Sequence, residues 1–171
     1  GDTFEMFLNY VGGHKRCKIL LDLSHMVLNG MTNDNMLSFI RRFKDRIGMM
    51  HVKDGEFNPT DGGGVYSSYH KWPQRQGRFR SLGDGQINYA VVFAVLKSLG
   101  LPLWATVEWE DCAGKGWAQG VREGAQFVNA WLSGTTPPTR TAAEAHSDGA
   151  FDDFAAAGAD KKLIASILGI A

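Results

Sequence analysis

Three polar residues stand where short apolar runs of this sequence end. Asp22 closes Lys18-Ile19-Leu20-Leu21, His51 follows Gly48-Met49-Met50, and Glu108 closes Leu103-Trp104-Ala105-Thr106-Val107. One imidazole with two carboxylates is a donor set for a hard or borderline divalent cation such as Mn²⁺, Co²⁺ or Mg²⁺, and it disfavours a thiolate-type zinc centre. Polar residues also follow strands for purely structural reasons, so the spacing alone leaves both readings open.

The elements that must position these residues alternate along the chain. Each apolar run reads as a parallel strand buried on both faces. Thr32 or Asn33 caps a helix whose apolar positions Met36, Leu37, Ile40 and Phe43 recur at helical spacing. Asn88 to Leu99 reads as a second helix with Val91, Val92, Val95, Leu96 and Leu99 on one face and Gly100 as its stop. Trp117 to Leu132 reads as a third, with Val121, Ala125, Val128 and Leu132 in register. Between the second strand and the second helix, Lys53 to about Gly85 reads as one long Gly- and Tyr-rich loop, a length that usually marks function. Repeated strand–helix units predict a parallel sheet with right-handed crossovers. Residues 1–134 are therefore expected to form a partial β/α barrel, and 135–171 a linker and a helical tail packing on it.

Bulk properties narrow the classes. The 171 residues carry 18 basic and 18 acidic side chains, so the formal net charge is zero. A nucleic-acid partner would need a basic excess, and none exists. No apolar run approaches the roughly 20 residues that span a bilayer, and a secretory leader is not expected. Two cysteines, Cys17 and Cys112, are too few for a disulfide framework, so a reduced, cytoplasmic setting is expected. The chain opens on Gly1, with Asp2 to Leu8 already patterned as an amphipathic helix, and three β/α units leave both sheet edges open. Both features suggest a piece of a larger barrel, completed by an N-terminal half or covered by self-association.

Asp22-Leu23-Ser24-His25, His51-Val52-Lys53-Asp54 and Glu108-Trp109-Glu110-Asp111 resemble the three C-terminal signatures of the sugar phosphate isomerase/epimerase family, the xylose-isomerase-like TIM barrels. Glu56-Phe57-Asn58-Pro59-Thr60, the stretch Gly77 to Gly85 and the tail Ala150-Phe151-Asp152-Asp153-Phe154 are similar to one bacterial branch of it. The resemblance implies the C-terminal portion of a (β/α)8 barrel, about its last three β/α units, with chemistry at the C-terminal ends of the strands. It implies Asp22, His51 and Glu108 as metal ligands, and a fourth ligand, a glutamate of the preceding strand, with no counterpart in Gly1 to Cys17. Such a site supports proton abstraction next to a carbonyl through an enediolate, with Glu108 as one of two proton-moving carboxylates.

The resemblance also places a substrate-binding histidine at His25; the alternative is a histidine satisfied by local backbone. Lys53 shares a strand side with His51 and is within reach of substrate oxygens, or is a solvated lysine. Arg78 and Arg80 lie in the long loop, and Arg80 is the candidate clamp for a sugar hydroxyl or phosphate. Glu110 shares the parity of Glu108 and is placed to orient a ligand or Lys53. Trp72, Trp104, Trp109 and Trp117 are candidate walls for sugar C–H surfaces, with core packing the first reading for Trp104. Gly62-Gly63-Gly64 lacks the strand and helix of a phosphate loop and reads as a turn.

The expected function is a metal-dependent sugar or sugar-phosphate isomerase or epimerase acting on a small-molecule sugar. A lyase on the same scaffold (an inosose-type dehydratase or a 3-oxo-glycoside-cleaving enzyme) begins with the same proton abstraction. An inactive half-barrel subunit is the non-catalytic alternative. An apurinic-site endonuclease would need more strand-end histidines and a basic face than this sequence offers.

Overall fold

The computed structural model describes residues 1–59, 63–66, 69–110, 112 and 115–135. The order of elements is α1 (Asp2–Tyr10), β1 (Ile19–Asp22), α2 (Leu23–Val27), α3 (Asn33–Phe43), β2 (Ile47–Val52), β3 (Asp54–Phe57), β4 (Gly77–Arg80), α4 (Tyr89–Ser98), β5 (Ala105–Val107) and α5 (Trp117–Leu132). The helical tail expected to pack on the barrel lies outside the described residues. No helix among the described residues is long and apolar enough to cross a membrane.

β1, β2 and β5 form a parallel sheet in the order β1-β2-β5. One face of it is buried under the helices. Ile19, Leu21, Ile47, Met50 and Val52 join Met36 and Ile40 of α3 and Val92 and Leu96 of α4 in a single core cluster. Alternation puts Leu20 and Met49 on the other face, where both are exposed. This is the architecture of a β/α barrel segment, with a helical outer layer and strands whose second face points inward.

The helices start where their caps stand. Thr32 Oγ1 accepts the Asn35 N–H at 3.3 Å, and Asn88 Oδ1 accepts the Val91 N–H at 3.3 Å. α5 departs from its expected face. Its buried residues are Gly120, Gly124 and Val128, while Leu132 is 79% exposed. The glycines let the helix backbone approach β5: a Cβ on Gly124 would sit 2.7 Å from Val107 Cγ1, and one on Gly120 would collide with the Trp109 indole.

The stretch from Lys53 to Gly85 is not one loop. It contains an antiparallel hairpin in which Asp54 pairs with Arg80 and Glu56 with Arg78, with a 3₁₀ turn at Trp72–Gln74 between the strands. Few apolar residues mark these strands; a Glu56–Arg78 ion pair at 2.7 Å and the buried Phe79 hold them instead. Trp104 is also corrected: it is 82% exposed rather than packed in the core.

Candidate metal centre

Register brings the three strand-end residues together. Asp22 pairs with His51 across β1 and β2, and His51 pairs with Thr106 across β2 and β5. Glu108 lies two residues past Thr106, so it shares the face of His51, and its N–H donates to the Val52 carbonyl at 3.2 Å. One ligand atom from each of Asp22, His51 and Glu108 lies within 4.8 Å of the others.

The donor atoms are oriented by their neighbours. Asp22 caps α2, and its Oδ1 accepts both the Ser24 N–H at 3.0 Å and the Ser24 hydroxyl at 2.6 Å. That leaves Oδ2 turned to the centre, 3.6 Å from His51 Nδ1. Glu108 Oε2 is buried, 2.8 Å from His51 Nδ1 and 2.9 Å from Lys53 Nζ, yet neither approach has hydrogen-bond geometry and the atom has no hydrogen-bond partner. A buried carboxylate oxygen left over in this way, beside an imidazole and a second free carboxylate oxygen, fits a divalent cation.

The other predicted residues fall into two groups. His25, on the first turn after Asp22, is half exposed; its Nε2 is 3.6 Å from Asp22 Oδ2 and its ring stands edge-on to Phe79 at 5.4 Å. It lines a cavity of about 570 Å³ together with Asp22, His51, Glu108 and Leu20. Lys53 is 1% exposed and reaches the same centre: its Nζ donates to Glu110 Oε2 at 2.8 Å, lies 3.6 Å from Asp22 Oδ2, and sits 4.4 Å over the Phe79 ring. Burial works against this ammonium, and the hydrogen bond to Glu110 with the Glu108 and Asp22 carboxylates close by overcomes it, so Lys53 titrates above its ordinary value. Arg80 is placed differently. It is buried in the hairpin, 3.6 Å from Glu56 Oε1, with its guanidinium over the Trp72 ring.

Residues that sequence reasoning did not single out complete the centre. Ser24 sets Asp22, and Asp-x-Ser before a helix is a capping signature that could have revealed it. Phe79 supports both His25 and Lys53. Tyr89 donates its buried hydroxyl to the Lys53 carbonyl at 2.7 Å, fixing the end of β2.

Parallel strands under a helical layer, with Asp22, His51 and Glu108 gathered at their C-terminal ends, define a segment of a β/α barrel. The model of the family described as xylose isomerase-like TIM barrel matches residues 1–131, and the chain belongs to that family. The crystal structure of a xylose isomerase domain protein from Planctomyces limnophilus superposes with a TM-score of 0.56 at 18% identity, covering 78% of this chain and 42% of that one. That likeness shows the fold, and the chain spans less than half the length of the matched structure. No curated protein shows significant sequence similarity to the chain.

Proposed function

We propose that Asp22, His51 and Glu108 hold a divalent cation, Mn²⁺, Co²⁺ or Mg²⁺, in a sugar or sugar-phosphate isomerase or epimerase. The observation that carries this reading is the convergence of the three donors with Glu108 Oε2 buried and without a hydrogen bond. When bound, the cation supplies stabilisation of the negative charge that develops on adjacent oxygens as a proton leaves carbon next to a carbonyl. Glu108 then provides the carboxylate that moves the proton. His25, half exposed beside the centre, offers its ring nitrogen to a substrate hydroxyl. Ser24 keeps Asp22 oriented throughout.

In this reading the three parallel strands are the last three of the barrel. The exposed Leu20 and Met49 face its interior, where the remaining strands cover them and add the fourth ligand. The test has two parts. Titration of the 171-residue chain with Mn²⁺, followed by isothermal calorimetry, should show a saturable site that Asp22→Asn and His51→Ala abolish; a chain that takes up no Mn²⁺ refutes the metal centre. In a chain carrying all eight strands, Glu108→Gln should abolish turnover while the fold persists, and near-normal turnover would remove Glu108 from the chemistry. Incubation of that chain with free ketoses and with 3-oxo-glycosides separates isomerisation or epimerisation from lyase chemistry by product class.

A further inference from the structure

Lys53 brings a positive charge into a centre whose donors suit another cation. Its ammonium has three N–H donors and faces three carboxylates: Glu110 Oε2 at 2.8 Å, Glu108 Oε2 at 2.9 Å and Asp22 Oδ2 at 3.6 Å. Two of those oxygens, on Glu108 and Asp22, are the ones that also face His51. The third belongs to Glu110, which is outside the ligand cluster. Below the ammonium lies the Phe79 ring, and the side chain is sealed from solvent.

We propose that Lys53 is the built-in counter-ion of the metal centre, a positioning residue that stands between Glu108 and Asp22 before the cation arrives and competes with it for their oxygens. The inference rests on the metal reading above. Three carboxylates converging on one partly buried point repel one another strongly unless a cation lies among them. Lys53 supplies that cation from within the chain, so the donors are assembled in advance. The same arrangement weakens the ion's hold, because an ion on Glu108 Oε2 shares that atom with an ammonium of like charge. Glu110, the nearest of the three carboxylates, gives Lys53 a place to stay once the ligand oxygens are taken. Repulsion between an ammonium and a divalent ion sharing an oxygen outweighs the rotamer freedom regained by one glutamate, which decides the sign of the effect. Removing the charge should therefore destabilise the metal-free protein and tighten the cation.

The test compares the wild-type chain with Lys53→Met and with Lys53→Gln, whose amide keeps a donor for Glu110. Melting is followed in EDTA and in rising MnCl₂, and Mn²⁺ affinity is measured by calorimetry. Both neutral variants should melt below wild type in EDTA and gain more than wild type from Mn²⁺, with a Kd lower by about tenfold. An Mn²⁺-induced shift equal to or smaller than that of wild type would overturn the proposal, as would wild-type melting in EDTA. Failure of both variants to fold in saturating Mn²⁺ would overturn it as well, since the cation should replace the lost charge. A wild-type chain indifferent to Mn²⁺ is a separate result: it removes the metal centre itself, and this inference with it.

Discussion

Asp54 poses a contest between burial and hydrogen bonding whose outcome can be measured. The side chain is fully buried, and its carboxylate accepts backbone N–H groups from Gly55 at 2.9 Å, Gly83 at 3.0 Å, Gly85 at 3.0 Å and Ile87 at 3.3 Å. Burial disfavours the charged form, whereas the four N–H groups favour it. Burial prevails and pushes the carboxyl from 3.8 up to about 6. A carboxyl raised in this way binds its proton more tightly in the folded chain than in the unfolded one. Between the two values the folded chain keeps a proton that the unfolded chain has lost, so stability falls as pH rises through this window and levels off above about 6. At about 1.4 kcal/mol per unit, a displacement of about two units corresponds to about 3 kcal/mol. Other carboxylates titrate in the same range, so the observable is the stability of wild type minus that of Asp54→Asn, which lacks this proton. Urea unfolding followed by tryptophan fluorescence, at steps from about pH 4 to about pH 7, gives the difference. It should shrink by about 3 kcal/mol as pH rises. A difference that stays flat or grows would refute the reasoning, because it would mean that the four N–H groups hold the carboxyl at or below its unfolded value.

Two further perturbations address the centre and its support. Ser24→Ala removes the hydroxyl that donates to Asp22 Oδ1 at 2.6 Å. Mn²⁺ affinity should fall about tenfold by calorimetry, with a stability loss of about 1 kcal/mol; unchanged affinity would take Ser24 out of the site. Gly120→Ala drives a methyl into the Trp109 indole and should cost about 2–3 kcal/mol in urea unfolding. A loss below about 0.5 kcal/mol would show that α5 is not seated on β5 through its glycines.

The parallel strands and most helices were legible because their signals are local. Apolar runs mark β1, β2 and β5; Thr32, one of two caps expected, starts its helix, and Asn88, expected as the first residue of its helix, caps it. The hairpin was not legible, because Asp54-Gly55-Glu56-Phe57 and Gly77-Arg78-Phe79-Arg80 carry one apolar side chain each and are held by a cross-strand ion pair that spacing does not reveal. The exposed Trp104 is a related case: an apolar run predicts a strand but not which of its faces is covered, and β5 is an edge of the sheet among the described residues. α5 was found, but its buried face is drawn by glycines, which a search for apolar periodicity passes over.

The four residues at the end of β2 show where local reading stops. Alternation assigns His51 and Lys53 to one side and Val52 and Asp54 to the other, and the structure agrees: the first pair meets Asp22 and Glu108, while Val52 enters the core and Asp54 anchors the Gly83–Ile87 turn. Parity could place Lys53 beside the ligands, but it could not show what the ammonium does there. That depends on Glu110, which lies 57 positions away, and on Phe79, delivered by a strand that the pattern does not announce. A solvated lysine and a buried one can follow a strand-end histidine at the same spacing. Only the partners distinguish them, and here they are Glu110 together with Asp22 and Glu108, two of the three residues proposed as metal ligands.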